Sequence, residues 1–281
     1  MNNPQSAIRN PQCRIHATAV IQSGAEIDEG VEIGPYSVIG KDVTIGKGTI
    51  VSSHAVIEGW TTIGPACKIH QFVSIGAPPQ HLKYKGEKTE VIIGKNNEIR
   101  EYVTIHRAIA GSGNKTIIGD NNFFMAYVHI AHDCRIENNV IMANVATLAG
   151  HVEIGDHAFV GGLVAVHQFA RIGAYAMIGG ASAITHDVPP YVIAVGNRAK
   201  LYGLNKVGLK RQGFSREEID GLKKAYTILF KSGLTLKDAV GKLEEEMKHS
   251  THVAKLLEFI KSSKRGITRE TGRRAEEDET D

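Results

Sequence analysis

The chain has no apolar run near 18 residues, too little for a membrane-crossing helix, so no stable membrane insertion is expected. Met1 to Gln12 is polar, and no signal peptide is expected there. Cysteine is scarce. Cys13, Cys67 and Cys134 are an odd number at no metal-like spacing, which argues against a disulfide framework and for a reducing cytoplasm. They read as small, inert core or corner residues. A net charge of +3 with no basic stripe interleaved with aromatics argues against a nucleic-acid partner. With 281 residues and 42% apolar content, the chain is nonetheless long enough for a full core.

What is present is a period of six. Ile15, Ile21, Ile27, Ile33, Ile39, Ile45, Val51, Ile57, Ile63, Ile69 and Ile75 keep it without a slip, and several are followed by glycine. A helix repeats every 3.6 residues and a half-buried strand every two, whereas a triangular coil with one apolar residue per face repeats every six. The sequence therefore predicts an all-β parallel β-helix, with three hexads (18 residues) per coil and coils stacked about 4.8 Å apart. An excursion from Ala77 to Val91 interrupts the period, which resumes at Ile93, Ile99 and Ile105. A glycine-rich loop from Ala110 to Asn114 follows, and the period restarts one residue out of phase, running from Ile118 through Ile130, Leu148 and Val166 to Ile184.

Three parts are expected: a β-helix over 1–187, a C-terminal α-helical cap over 188–265, and a disordered charged tail over 266–281. Val188-Pro189-Pro190-Tyr191 forces an extended exit from the coil. Ser215 with Glu218 is a capping box ahead of one amphipathic helix, Thr235 with Asp238 opens a second, and Val253, Leu256, Leu257 and Ile260 mark a third. The helices would cover the exposed last coil, and the flat faces of the prism suit a homotrimer. From Asp187 to Arg265 there are 16 basic against 9 acidic residues, whereas the tail from Gly266 has 3 against 6. A basic cap suits an acidic partner or a phosphorylated substrate.

In such a coil, residues 18 apart are vertical neighbours. His132, Gly150 and Gln168 form one column, each two residues past an inward apolar position. An imidazole beneath a corner glycine offers a base for the acceptor and a backbone N–H for a developing oxyanion, as acyl transfer requires. Asp133 can fix the tautomer of His132. His129, Asn144, His151 and His167 crowd the same region. The excursion loop carries Gln80, His81 and Lys83, which could reach over a substrate, and Asn205 with Lys210 and Arg211 could clamp a diphosphate. Gly162 and Gly180 stack in a neighbouring column and could leave a trough along the prism.

Several stretches resemble the acyl-ACP:UDP-N-acetylglucosamine O-acyltransferases of lipid A synthesis. They are His129 to Cys134, Ala146 to His151, Ala165 to Phe169, Gln80 with Leu82 to Tyr84, Val103 to Arg107, Pro189 to Ala194 and Gly208 to Glu217. The resemblance spans nearly the whole chain. It implies a left-handed β-helix, a cytoplasmic homotrimer with active sites between neighbouring subunits, and neither metal nor organic cofactor. It also implies that His132 is the general base, that Asp133 orients it and that the Gly150 amide holds the oxyanion. Gln80, His81, Lys83, His129, Asn144, His151, His167, Gln168, Asn205 and Arg211 would then bind substrate. Gly162, Met177 and Gly180 would line an acyl groove. Acyl carrier protein is the implied donor and a UDP-sugar the acceptor. The family often has Asp where this chain has His81, and some members have Glu where it has Val207.

Three other readings remain at this stage. One is an N-acyltransferase acting on a 3-amino analogue of the sugar nucleotide, or on the amine of the next intermediate. The enzymes acting on that intermediate usually carry an extra N-terminal domain, and here the hexads begin by Ile15. Another is a zinc hydratase on the same prism, using three histidines drawn from two subunits, for which His129, His132 and His151 are candidates. The last is a non-catalytic scaffold, which would need neither the His-Asp corner nor the basic cap.

Overall fold

The computed structural model describes residues 13–111 and 113–270. From Arg14–Ile15 to Ala183–Ile184, short strands wind through a left-handed parallel β-helix with three faces. Sheet A has 11 strands, sheet B nine and sheet C eight, and consecutive strands of the coil pass from A to B to C. The period-six residues from Ile33 to Ile105 are all 2% exposed or less. Burying each contributes about 1.5–3 kcal/mol, so the inward column holds coil to coil.

Most corners turn on a residue in the left-handed region. Examples are Val145 and Leu163 between sheets A and B, Asp133, His151 and Phe169 between B and C, and His157 and Tyr175 between C and A. A non-glycine residue there costs about 1–2 kcal/mol. The compensation lies in the ladder: side chains at one corner project outward in vertical register and touch. The rings of Tyr36, His54, Phe72, Tyr102 and Tyr127 follow one another at centroid spacings of 5.1, 5.2, 5.0 and 4.8 Å. That spacing is close to the distance between strands.

Vertical register follows the 18-residue rule where no loop intervenes, with Ile130 beside Leu148, Leu148 beside Val166 and Val166 beside Ile184. Both interruptions of the period are insertions between sheet B and sheet C. After Ser74–Ala77 the excursion returns at Glu90–Ile93, and after Thr104–His106 the glycine-rich loop returns at Lys115–Ile118. Ile63 therefore pairs with Ile93, and Ile93 with Ile118, without breaking sheet C. Both loops leave the prism at the edge that carries His132.

The C-terminal third departs from the sequence reading in two places besides the short extra helix at Lys206–Arg211. Sheet A does not stop at the expected boundary. Val192–Val195 adds a parallel strand beside Met177–Ile178, and Lys200–Leu204 returns antiparallel to it, closing the prism before any helix begins. The tandem prolines masked this strand, because they mark a turn but do not prevent pairing beyond it. The helices are α1 (Lys206–Arg211), α2 (Arg216–Phe230), α3 (Leu236–Glu246) and α4 (Thr251–Lys261). Ser215 and Glu218 form the predicted capping box on α2, and Thr235 caps α3.

The second departure is the tail, since residues 266–270 are paired rather than disordered. Asp187 donates its N–H to the Gly266 carbonyl at 2.9 Å and accepts that of Thr268 at 2.8 Å, while Leu201 donates to the Arg269 carbonyl. Glu270 accepts from the Tyr226 hydroxyl and pairs with Lys231. Main-chain pairing of this kind leaves no apolar period to read. Residues 271–281 lie outside the described residues.

Candidate active site

At the B–C edge, His132 Nδ1 lies 2.8 Å from Asp133 Oδ2. A carboxylate only accepts, so Nδ1 carries the proton and Nε2 is left as the basic nitrogen. Asp133 is itself held. Its Oδ2 accepts the Ile109 N–H at 3.0 Å, its backbone N–H donates to Thr116 Oγ1 at 2.9 Å, and the residue is buried. Ile109 leads into the glycine-rich loop and Thr116 lies on the strand after it, so the segments flanking the second insertion build the socket for the carboxylate.

Gly150 stands one coil along from His132. A Cβ there would lie 2.4 Å from His132 Cε1 and 2.7 Å from Nε2, so only glycine lets the imidazole rest against the backbone. The Gly150 N–H donates to no carbonyl or side chain among the described residues. His151, the next residue, sits edge-on to the His132 ring at 5.2 Å and stacks on Phe169 at 4.4 Å. Burial lowers its pKa, against an opposing pull from Asp133. Gln168 and His167 are exposed one coil further on.

His129 faces outward on sheet B with Nδ1 2.7 Å from Thr104 Oγ1. His106 meets it edge-on at 5.0 Å and is buried; burial, with His129, His132 and Arg107 nearby, brings its pKa down to about 4. Burial lowers that of His129 as well. From the excursion loop, His81 reaches the site and its ring meets His132 edge-on at 5.4 Å. Gln80 and Lys83 are exposed on the same loop.

Other expected residues lie elsewhere on the prism. Asn205 is buried as the N-cap of α1, accepting from the Gly208 N–H at 3.1 Å and donating to the Tyr175 carbonyl at 3.0 Å. That places it by the C–A edge, with Arg211 exposed at the far end of α1. A single chain does not bring this pair to His132. Asn144, Gly162 and Gly180 form a column at the A–B edge, with Met177 on the neighbouring face of sheet A. Neither glycine has a positive φ, so the backbone conformation does not require glycine there. An added Cβ would instead come within 3.2 Å of the Asn144 carbonyl oxygen at Gly162, and 3.3 Å of the Gly162 carbonyl oxygen at Gly180. Between this column and His132 runs the outer face of sheet B, lined by His129, Thr147, Ala165 and Ala183.

Thr104, His106, Thr116 and Phe169 were not singled out as site residues from sequence. Phe169 was within reach of the 18-residue rule, being that far from His151. The others were not, because Thr104 and His106 precede the inserted loop and pair with residues 25 positions on or with loop-flanking strands. The donor atoms of His132, Asp133 and His151 lie within 4.8 Å of one another and could hold a cation. Among the described residues of one chain His129 is not part of that group, its Nδ1 lying 2.7 Å from Thr104 Oγ1.

A family model described as bacterial transferase hexapeptide (six repeats) matches residues 24–59 and 115–150. Another, described as UDP N-acetylglucosamine O-acyltransferase, domain 2, matches residues 187–268. The acyl-(acyl-carrier-protein)–UDP-N-acetylglucosamine O-acyltransferase of Thermodesulfovibrio yellowstonii is 62% identical over 255 residues, covering 91% of this chain and 99% of that protein. The chain belongs to this acyltransferase family. The Burkholderia orbicola protein of the same name is 51% identical over 260 residues, at 91% and 99% coverage. Among solved structures, LpxA of Acinetobacter baumannii is 47% identical with a TM-score of 0.89, covering 91% of this chain and 99% of that one. The UDP-N-acetylglucosamine acyltransferase of Arabidopsis is 37% identical with a TM-score of 0.81, at 91% and 100% coverage. The curated relatives are named O-acyltransferases, and the amide-forming alternative is not favoured.

Proposed function

We infer that this protein transfers a 3-hydroxyacyl group from acyl carrier protein to the 3-hydroxyl of UDP-N-acetylglucosamine, the first step of lipid A biosynthesis. The observation that carries the mechanism is the 2.8 Å His132–Asp133 bond beside a Gly150 N–H that has no partner among the described residues. His132 Nε2 takes the proton of the sugar hydroxyl as its oxygen attacks the thioester carbonyl. The Gly150 N–H holds the resulting oxyanion, and Asp133 stabilises the imidazolium. Collapse breaks the C–S bond, and the departing thiolate takes the proton back from His132.

In this reading Gln80, His81, Lys83, His129 and His151 surround the acceptor, while His167 and Gln168 flank the donor. The acyl chain lies along the outer face of sheet B toward Asn144, Gly162, Met177 and Gly180. Asn205 and Arg211, remote from His132 in one chain, serve the nucleotide of a neighbouring subunit's site in a homotrimer. The basic helical cap offers a surface to acidic carrier protein, and the enzyme acts in the cytoplasm. No helix among the described residues is long and apolar enough to cross a membrane.

The test is mass spectrometry of the product formed from UDP-N-acetylglucosamine and a panel of 3-hydroxyacyl carrier proteins, with the 3-amino analogue as competitor. An O-acylated product is expected. Preference for the analogue by more than about tenfold in kcat/KM, about 1.4 kcal/mol in transition-state stabilisation, would overturn the choice of acceptor.

A further inference from the structure

The mechanism makes no use of one buried cation. Arg107 is 7% exposed and makes no ion pair among the described residues. Removing a guanidinium from water without a carboxylate is unfavourable, and such a group is retained where its planar fork holds several acceptors at once. Here the two arms of the fork hold different parts of the chain. Nη1 donates to the Gly76 carbonyl, on the strand from which the excursion loop departs. Nη2 donates to the Tyr84 hydroxyl at 3.0 Å, at the middle of that loop. The Arg107 backbone N–H also donates to the Ala77 carbonyl at 3.1 Å, where the pairing slips past a bulge between Ile75 and Ala77.

The surroundings are shaped to admit the guanidinium. Its carbon lies 5.5 Å from the centroid of the Trp60 ring, within the range of a cation–π contact. A Cβ on Gly59 would lie 2.0 Å from Nη1. Tyr84 passes the restraint onward: its hydroxyl donates to the Glu87 carbonyl at 2.8 Å, and its N–H donates to the His81 carbonyl at 3.0 Å. His81 is the loop residue whose ring meets His132.

We propose that Arg107 is a positioning residue for the acceptor: bridging Gly76 to Tyr84, it clamps the loop of residues 78–89 so that Gln80, His81 and Lys83 face the sugar above His132. The kinetic half of this proposal rests on the acyltransfer reading of the site; the clamp itself does not. Two substitutions separate the halves. Tyr84→Phe removes the loop-side acceptor together with the hydroxyl's own bond to the Glu87 carbonyl, whereas Arg107→Lys leaves that bond intact, keeps the charge and loses the fork.

Hydrogen–deuterium exchange and steady-state kinetics on the full chain test the proposal. In both variants, amides of residues 80–88 are expected to exchange at least about tenfold faster, the scale of a lost hydrogen bond to a charged group, while amides of the coils on either side keep their rates. KM for UDP-N-acetylglucosamine is expected to rise about tenfold with KM for the acyl carrier protein unchanged, and the double variant is expected to fall short of the product of the two single effects. Unchanged loop exchange in Arg107→Lys, which spares the Tyr84–Glu87 bond, or in Tyr84→Phe would overturn the clamp, whatever the enzyme's reaction. Faster loop exchange with an unchanged acceptor KM would overturn the positioning role, as would exchange accelerated throughout the coils.

Discussion

The imidazole of His132 occupies the space that a side chain on Gly150 would need, with Cε1 2.4 Å from the position of an added Cβ. The base and the oxyanion donor are therefore placed by one contact. Gly150→Ala is expected to push the ring off its bond to Asp133 and lower kcat by about 10²-fold or more, on the scale of losing an oxyanion donor. Steady-state rates with saturating donor and acceptor check this. A variant that keeps a third of wild-type turnover would show that the contact is dispensable.

The 2.8 Å bond from His132 to Asp133 predicts non-additivity. His132→Ala should cost about 10²–10⁴ in rate, and Asp133→Asn somewhat less. Once the imidazole is gone its partner has nothing to orient, so the double variant should be no slower than His132→Ala alone. Circular dichroism and sedimentation should find both single variants folded and assembled as wild type. Additive losses would place Asp133 outside the dyad.

At the A–B edge, Gly180 stacks on Gly162 without a positive φ, so the backbone conformation does not demand glycine, and an added Cβ would sit 3.3 Å from the Gly162 carbonyl oxygen, a tight contact that the neighbour must yield to slightly. Gly180→Met should fill the far end of the trough and shift the preferred acyl chain to shorter lengths. Competition among carrier proteins loaded with a range of chain lengths reads this directly. An unchanged profile would mean that the acyl chain takes another path.

His106 carries a pH prediction for stability. Its pKa in the folded chain is about 4, below the ordinary 6.5, so as pH falls the unfolded state binds the proton first. Stability from this group is complete above pH ~6.5 and is lost as pH falls toward ~4, up to about 3 kcal/mol if the shift is fully expressed. Burial also lowers the pKa values of His129 and His151, which adds to the loss with the same sign. Thermal melts across this range should show it, and His106→Asn should flatten the slope. A slope unaltered by that substitution would mean that His106 charges freely in the folded protein.

How far the sequence could be read follows from where the six-residue period survives. Because each hexad places one apolar residue inward, the period alone determined the coil, its three faces, the core from Ile33 to Ile184 and the column of His132, Gly150 and Gln168. Helix caps, which are local, were equally legible at Ser215 and Thr235. Tertiary structure decided whatever the insertions or the chain end brought together. His81 meets His132, and Asp133 meets Ile109 and Thr116, across loops whose lengths no period specifies. The strand Val192–Val195 and the strap at residues 266–270 are held by main-chain pairing, which leaves little trace in side-chain pattern. A repeating local interaction writes itself into the sequence; a contact between distant segments depends on the path the folded chain takes between them.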